Sequence, residues 1–454
     1  MPTDVRMRRS DEKSPLDRAL SLVTDVRAGE GVGALLLATN VFYLLAFYQV
    51  LKIVRDALIL SESGAVAASY ASAAMALALL VFVPAYGALA SRVNRVWLIS
   101  GVTIFFASHL LIFYVLGAAG VRIGVAFYVW VGVFNMVAVA QFWAFANDLY
   151  TNERGKRLFP VVGIGASLGA LVGAALTAYF FRGMGPYSLM LIAAFGLLVP
   201  VGLTVVVHRR EGRRPDTQKT ESEKPVGGPG GFTLVFRQRY LLLIAMLVLV
   251  YNLVNTLGGF MLNTLIEQEA TRVAAATAGA TAEQVRATKA AVSGTLSGTV
   301  GTYVNLLALV LQAFFVSRIF KYIGVRGALL ILPAIAAGGY TAVALLPTLL
   351  TLQWTKIFEN STDYSIQNTT RQALFLPTSR EAKYKAKQAI DSFFVRFGDM
   401  LQAAVVFVGV QLALTIRGFA LVNLVLIGVW LLIVVGIRRE HRKLTGSEAM
   451  DRAA

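Results

Sequence analysis

The residues best able to do chemistry stand where an oily helix is expected. In KIFENSTDYSIQNTTR, Lys356, Glu359, Asp363, Gln367 and Arg371 are spaced by three or four, which puts them on one face of a helix. Asn360, Asn368 and Thr370 widen that stripe. KQAIDSFFVRFGDMLQ adds Asp391, Arg396, Asp399 and Gln402, and YQVLKIVRDALIL adds Gln49, Lys52, Arg55 and Asp56. Asn252, Asn255 and Asn263 share another apolar run, and Asn305 and Gln312 a further one. Polar groups inside apolar runs need partners or water, so they mark either an aqueous substrate pathway or ion pairs that pin helices. Lys356/Glu359 and Arg396/Asp399 suit both readings equally. Lys52, Arg55 and Asp56 favour ligand contact, because their excess positive charge suits a small-molecule anion.

Other chemistries are poorly supplied. The chain has no cysteine, and His109, His208 and His441 are scattered, so no catalytic residue, cofactor or metal ligand is expected. His109, alone in an apolar run, reads as a packed or hydrogen-bonded side chain. VVGIGASLGALVGA contains Gly163-x-Gly165, as a nucleotide loop would, but no strand precedes it. Gly165, Gly169 and Gly173 instead form a small-xxx-small ridge for close helix packing.

The elements that must position these groups are membrane helices. The 454 residues are 57 % hydrophobic and 15 % charged, with mean hydropathy +0.66. Runs of about 20 apolar residues, each able to cross a bilayer core of about 30 Å, recur along the chain. Twelve spans are predicted at 31–60, 66–90, 96–118, 121–146, 159–181, 186–207, 239–265, 296–317, 327–346, 352–376, 387–415 and 419–437. The class is therefore an all-α membrane protein of twelve transmembrane helices. Residues 1–30 read as a cytoplasmic tail ahead of an uncleaved span. A six-helix bundle at 31–207, a Pro/Gly-rich cytoplasmic linker at 208–238, a second six-helix bundle at 239–437 and a cytoplasmic tail at 438–454 follow. Of 42 Lys and Arg, most lie in the tails and alternate loops. The opposite loops hold Arg122, Arg182, Arg272, Arg286, Lys289 and Arg417. That asymmetry is the positive-inside pattern with both termini cytoplasmic, so the net charge of +17 reflects topology and calls for no nucleic acid. Lipid is the expected surrounding and a monomer the expected unit.

Two loops point to a repeat: LYTNERGKRL (149–158) and LPTSREAKYK (376–385) each sit between the fourth and fifth span of a half. GALASRVNR, Gly87 to Arg95, resembles the loop motif G-x-L-a-D-r-x-G-r of the major facilitator superfamily. Gly87, Arg92 and Arg95 match as gating-loop residues, while Ser91 stands in place of the acid. The superfamily fold is therefore expected. QFWAFANDLYTNERGKRLFPVVGIGASLGALVG (141–173), Asp363-Tyr-Ser with Asn368 to Asp399, and VRDALIL (54–60) together resemble the ATP/ADP translocase (nucleotide transporter) family, closest to its free-living bacterial branch.

This resemblance implies a carrier of a bacterial cytoplasmic (inner) membrane that exchanges nucleotides by alternating access, with Arg55, and more loosely Lys52, among the phosphate-binding residues. Two departures accompany it. WVGVFNMVAVA lacks the fourth-span acid of the family's nucleotide exchangers, and Gly398-Asp399 stands where they tend to have Gly-Lys. Lys52, Arg55, Lys356, Arg371 and Arg396 inside the spans are balanced by Asp56, Glu359, Asp363, Asp391 and Asp399. That balance leaves open a less charged nucleotide, another organic anion, or a proton-coupled symporter or exporter. A scaffold or sensor that has kept the fold is the reading from another class.

Overall fold

The computed structural model describes residues 13–21, 24–90, 95–150, 152–211, 230–276, 279–379 and 381–451. No strand occurs among them. The helices are α1 (Pro15–Leu20), α2 (Gly31–Glu62), α3 (Gly64–Ala90), α4 (Arg95–Ala118), α5 (Gly124–Leu149), α6 (Asn152–Gly196), α7 (Leu198–Glu211), α8 (Gly231–Arg237), α9 (Arg239–Ala275), α10 (Ala282–Val310), α11 (Val316–Ala328), α12 (Ile331–Leu345), α13 (Leu349–Thr362), α14 (Asn368–Leu374), α15 (Lys387–Ala389), α16 (Val395–Gln411) and α17 (Ile416–Asp451). Four π-turns interrupt the later ones: Leu311–Phe315, Asp363–Gln367, Ala382–Ala386 and Ile390–Phe394. The predicted linker falls largely on 212–229, outside the described residues, as does Arg92 of the gating loop; Gly87 lies in the last turns of α3, and Arg95 opens α4.

Nine helical stretches among the described residues are long and apolar enough to cross a membrane. The difference from twelve has physical causes. The 55-residue stretch Arg157–Glu211 far exceeds the roughly 20 residues of one crossing. It turns at Gly185, whose φ of 71° lies in the left-handed region that glycine adopts without strain, and Pro186 follows. The stretch Ile331–Leu345 is shorter than a full crossing. α13 carries Lys356 and Glu359, which remove it from any list based on apolarity. Trp97, Tyr179 and Leu432 keep 73–79 % of their surface exposed, so the helices present apolar side chains outward, as lipid requires.

The helices cluster into two compact units. One comprises Met1–Leu58, Ala78–Glu223 and Ser297–Thr299, and the other Ile59–Leu77, Lys224–Leu296 and Val300–Ala454. In the first unit the glycine ridge packs as its spacing predicts. A Cβ on Gly165, Gly169 or Gly173 would stand 2.2–2.4 Å from the carbonyl oxygens of Ala38, Phe42 and Ala46, so α6 lies backbone to backbone on α2, four residues per step on both.

Below the ridge, Glu30 and Glu211 bracket Arg154, each at 3.2 Å, and Glu30 also holds Arg157 at 2.8 Å. Asp17 accepts from the N–H groups of Gly29 at 3.0 Å and Gly31 at 2.8 Å, closing the start of α2. Burial works against the Asp17 charge, but these N–H groups and Ser14 outweigh it and hold the carboxyl down to about 2.

In the second unit α9 is central: it packs against α17, α16 and α13, while α12 lies against α17 and α13. Glu267 of α9 accepts the Ala65 N–H at 2.7 Å, and Gln402 donates to Ser69 at 3.0 Å, which ties the start of α3 into this unit.

The ridge gives a direct test. Gly169→Ala must push backbone apart and lowers stability by about 1–3 kcal/mol. Gly163→Ala, on the same helix with nothing within 4 Å of the added carbon, raises stability by about 0.5–1 kcal/mol through helix propensity. Thermal unfolding of both variants in detergent separates the two, and equal melting temperatures would remove the ridge.

Candidate functional site

In the first unit, α2 presents Arg55 and Asp56 as a fork: Nη2 lies 2.7 Å and Nε 2.9 Å from Asp56 Oδ1. The guanidinium carbon stands 4.1 Å above the ring of Tyr128 on α5. Both charged residues are half-buried, as is Lys52 one turn earlier. A carboxylate holding one edge and an aromatic ring covering one face fix the cation in place. Tyr128 left no signal in the sequence, since it is an aromatic residue in an aromatic-rich span.

The second unit builds three polar clusters, and α9 contributes to each. Lys356 Nζ lies 2.7 Å from Glu359 Oε2 and donates to the Asn255 carbonyl at 2.9 Å. Tyr340 of α12 donates to the same carboxylate at 2.8 Å, and Asn255 donates to Asn360 at 2.8 Å. Lys356 and Glu359 are 2 % and 1 % exposed. Gly258 makes the room, because a Cβ there would run into Tyr340 and come within 3.2 Å of Lys356. This pair is sealed inside the unit and closed by its own partners.

Arg396 Nη1 lies 3.0 Å from Asp399 Oδ2, and Asn252 donates to the other oxygen at 2.9 Å. Gly398 leaves space for the Asn252 amide, which a Cβ would approach to 2.8 Å. Arg396 is partly exposed, whereas Asp399 is buried. The aspartate that replaces the expected lysine therefore stands beside an arginine that neutralises it.

The third cluster joins Arg371, Lys387 and Asp391. Arg371 donates to Tyr251 of α9 at 2.7 Å, and its Nε faces Asp391 at 3.9 Å. Lys387 reaches the second oxygen of Asp391 at 3.1 Å.

The single stripe expected from Lys356 to Arg371 does not survive. The α-helix ends at Thr362, and the π-turn Asp363–Gln367 closes with the Asn368 N–H on the Asp363 carbonyl. The extra residue in that turn rotates everything after it, so Arg371 points to Tyr251 rather than towards Lys356. Gln367 is buried with neither amide atom hydrogen-bonded. Asp363, first residue of the turn, is half-buried, and its carboxylate has no hydrogen bond or ion pair among the described residues. Elsewhere, Asn305 binds the carbonyl of Gly301 on its own helix, and His109 that of Phe105 at 2.8 Å.

The buried pair makes a stability prediction. Glu359→Gln leaves the Lys356 charge uncompensated and destabilises by about 3–5 kcal/mol, while Lys356→Met combined with Glu359→Leu recovers most of that loss. Melting temperatures of the single and double variants check it, and a double variant no better than the single ones would contradict the sealed-pair description.

Comparison with known proteins agrees with the geometry. Residues 125–441 match the TLC ATP/ADP transporter family. The chain is 26 % identical over 140 residues to ADP,ATP carrier protein 1, chloroplastic, of Arabidopsis thaliana; the match covers 28 % of this chain and 22 % of that protein, and so spans about a fifth of the relative's length. Among solved structures, the nucleoside transporter NupG superposes with a TM-score of 0.57 at 12 % identity, over 89 % of this chain and 98 % of the other. A bacterial homologue of the iron transporter ferroportin, in an inward-facing state, gives 0.60 at 12 % identity, over 90 % and 98 %. At these identities the likeness is one of fold.

Proposed function

Because the chain belongs to the TLC ATP/ADP transporter family and shares the major facilitator fold, we propose that this multi-pass membrane transporter exchanges nucleotides by alternating access. On this reading twelve helices cross a bacterial inner membrane as two six-helix bundles, 31–207 and 239–437. Both termini and the linker 208–238 lie on the cytoplasmic side, and the monomer is the working unit. The positive-inside asymmetry supports the orientation, and the turn at Gly185 supports counting Arg157–Glu211 as two crossings. The protein is a carrier, not an enzyme.

The observation that carries the exchange reading is the Arg55 guanidinium, held by Asp56 and laid over Tyr128. A pre-oriented fork of this kind meets phosphate oxygens without first being ordered. With labelled ADP outside proteoliposomes and unlabelled nucleotide inside, uptake requires the internal nucleotide. Arg55→Ala lowers that exchange about ten- to a hundredfold, the worth of one charge-assisted contact. Exchange unchanged in Arg55→Ala would sink the assignment.

Proton coupling is the second reading, and Asp363 is what favours it. Asp56, Glu359, Asp391 and Asp399 each face a cation within 4.0 Å, whereas Asp363 has no ion-pair contact among the described residues and feels Arg371 and Lys356 only from farther away. An intramembrane acid with no cation in direct contact is a group able to pick up and release a proton. If transport is proton-coupled, Asp363→Asn abolishes its response to an imposed pH gradient while uncoupled exchange continues. A full response in that variant would remove Asp363 from any proton path.

A further inference from the structure

In the second unit one helix is too short to cross a membrane yet keeps its aromatic side chains open. α8 (Gly231–Arg237) precedes α9, and Gln238 between them is extended, with φ −107° and ψ 111°, so α8 does not continue the line of α9. Its start is pressed against the segment before α16: a Cβ on Gly231 would stand 2.4 Å from the Lys385 carbonyl oxygen. Leu234 and Val235 are buried, and Phe232 meets the Phe393 ring edge-on at 5.2 Å. Phe232 and Phe236, one turn apart, nevertheless keep 47 % and 65 % of their surface exposed, and Thr233 and Arg237 are exposed beside them. At about 100° per residue these four side chains form one outward arc, apolar along one edge and basic along the other.

The basic edge does not end with α8. Arg239 opens α9 and lies 4.0 Å from Glu440 of α17, and the Tyr240 and His441 rings are 6.2 Å apart, so the start of α9 and the end of the last span are side by side. α17 brings Arg438, Arg439, Arg442 and Lys443, of which all but Arg438 are exposed. Segments 231–239 and 438–443 thus set six cations against one acid, Glu440, which Lys443 already holds at 3.0 Å. The four on α17 follow directly on the predicted end of the span at 437, within about 9 Å of helix, where long basic side chains reach the headgroup layer. Topology alone explains basic residues at this end of the spans. It does not explain two phenylalanine rings left open among them on a helix that crosses nothing. Exposed aromatic rings flanked by exposed arginines fit a surface that is apolar and anionic at once.

We propose that α8 and the adjoining ends of α9 and α17 form a docking surface for anionic phospholipid, with Phe232 and Phe236 at the acyl boundary and the arginines on the phosphate groups. Full-length protein in a neutral detergent is titrated with phosphatidylglycerol or with phosphatidylcholine while its unfolding temperature is followed. Phosphatidylglycerol raises that temperature, phosphatidylcholine does not, and about 0.5 M salt weakens the effect. Arg237→Gln with Arg239→Gln, or Arg439→Gln with Arg442→Gln, raises the phosphatidylglycerol needed about tenfold. All four side chains are exposed, so these variants keep the fold. Arg318→Gln with Lys321→Gln removes the same charge from exposed positions on α11 and leaves the response as in the parent chain. Equal shifts with both lipids overturn the proposal, and so does a full response in both of the first two variants. A response lost in the α11 variant as well shows diffuse attraction to total charge and overturns the placing at α8. Glycerol 3-phosphate carries the headgroup charge without acyl chains; a full shift from it replaces the lipid with a soluble phosphate and overturns the docking surface.

Discussion

A charge placed in a bilayer must find a partner inside the protein, because no solvent is there to supply one. This constraint organises most of what is distinctive in the chain. Lys356 and Glu359 satisfy it by sealing themselves among Tyr340, Asn255 and the backbone. Arg396 and Asp399 satisfy it with help from Asn252, and Arg55 and Asp56 with help from Tyr128. In each case a neutral polar or aromatic residue from a second helix completes what the ion pair leaves unmet. The pairs thereby fix the register of α13 and α16 against α9 as well as their own charge state.

The partners that close these clusters explain how much could be read from the sequence. Apolar runs give the helices directly, and the four-residue spacing of Gly165, Gly169 and Gly173 gives the contact with α2, because both signals are local. Lys356, Glu359, Arg396 and Asp399 are visible as polar residues out of place. Whether they are sealed or open is not, since that depends on Tyr340 and Gly258, which stand on other helices and are residue types that draw no notice in an apolar run. Tyr128 was hidden for the same reason.

The π-turns account for the rest. Periodicity arguments assume a constant number of residues per turn, and Asp363–Gln367 breaks that assumption within the segment where the stripe was drawn. The result turns Arg371 to Tyr251 rather than towards Lys356, and leaves Gln367 buried without partners. A π-turn carries no composition signature of its own, so only coordinates reveal it. Two of the four π-turns contain an in-span acid, Asp363 and Asp391, in keeping with their frequent occurrence at functional positions.

The close fit of α6 on α2 has a mechanical side. At its base α2 is clasped through Glu30 by Arg154 and Arg157, which belong to α6. Along its length the same two helices mesh through three glycines, with no side-chain layer between them to act as a bearing. Two rods geared at three teeth and bolted at one end cannot slip or spin independently. Arg55 therefore rides on the same lever as α6: any movement that turns or tilts α6 must carry α2, and the cation on it, along, so the tilt of one helix and the aim of the cation are one variable rather than two.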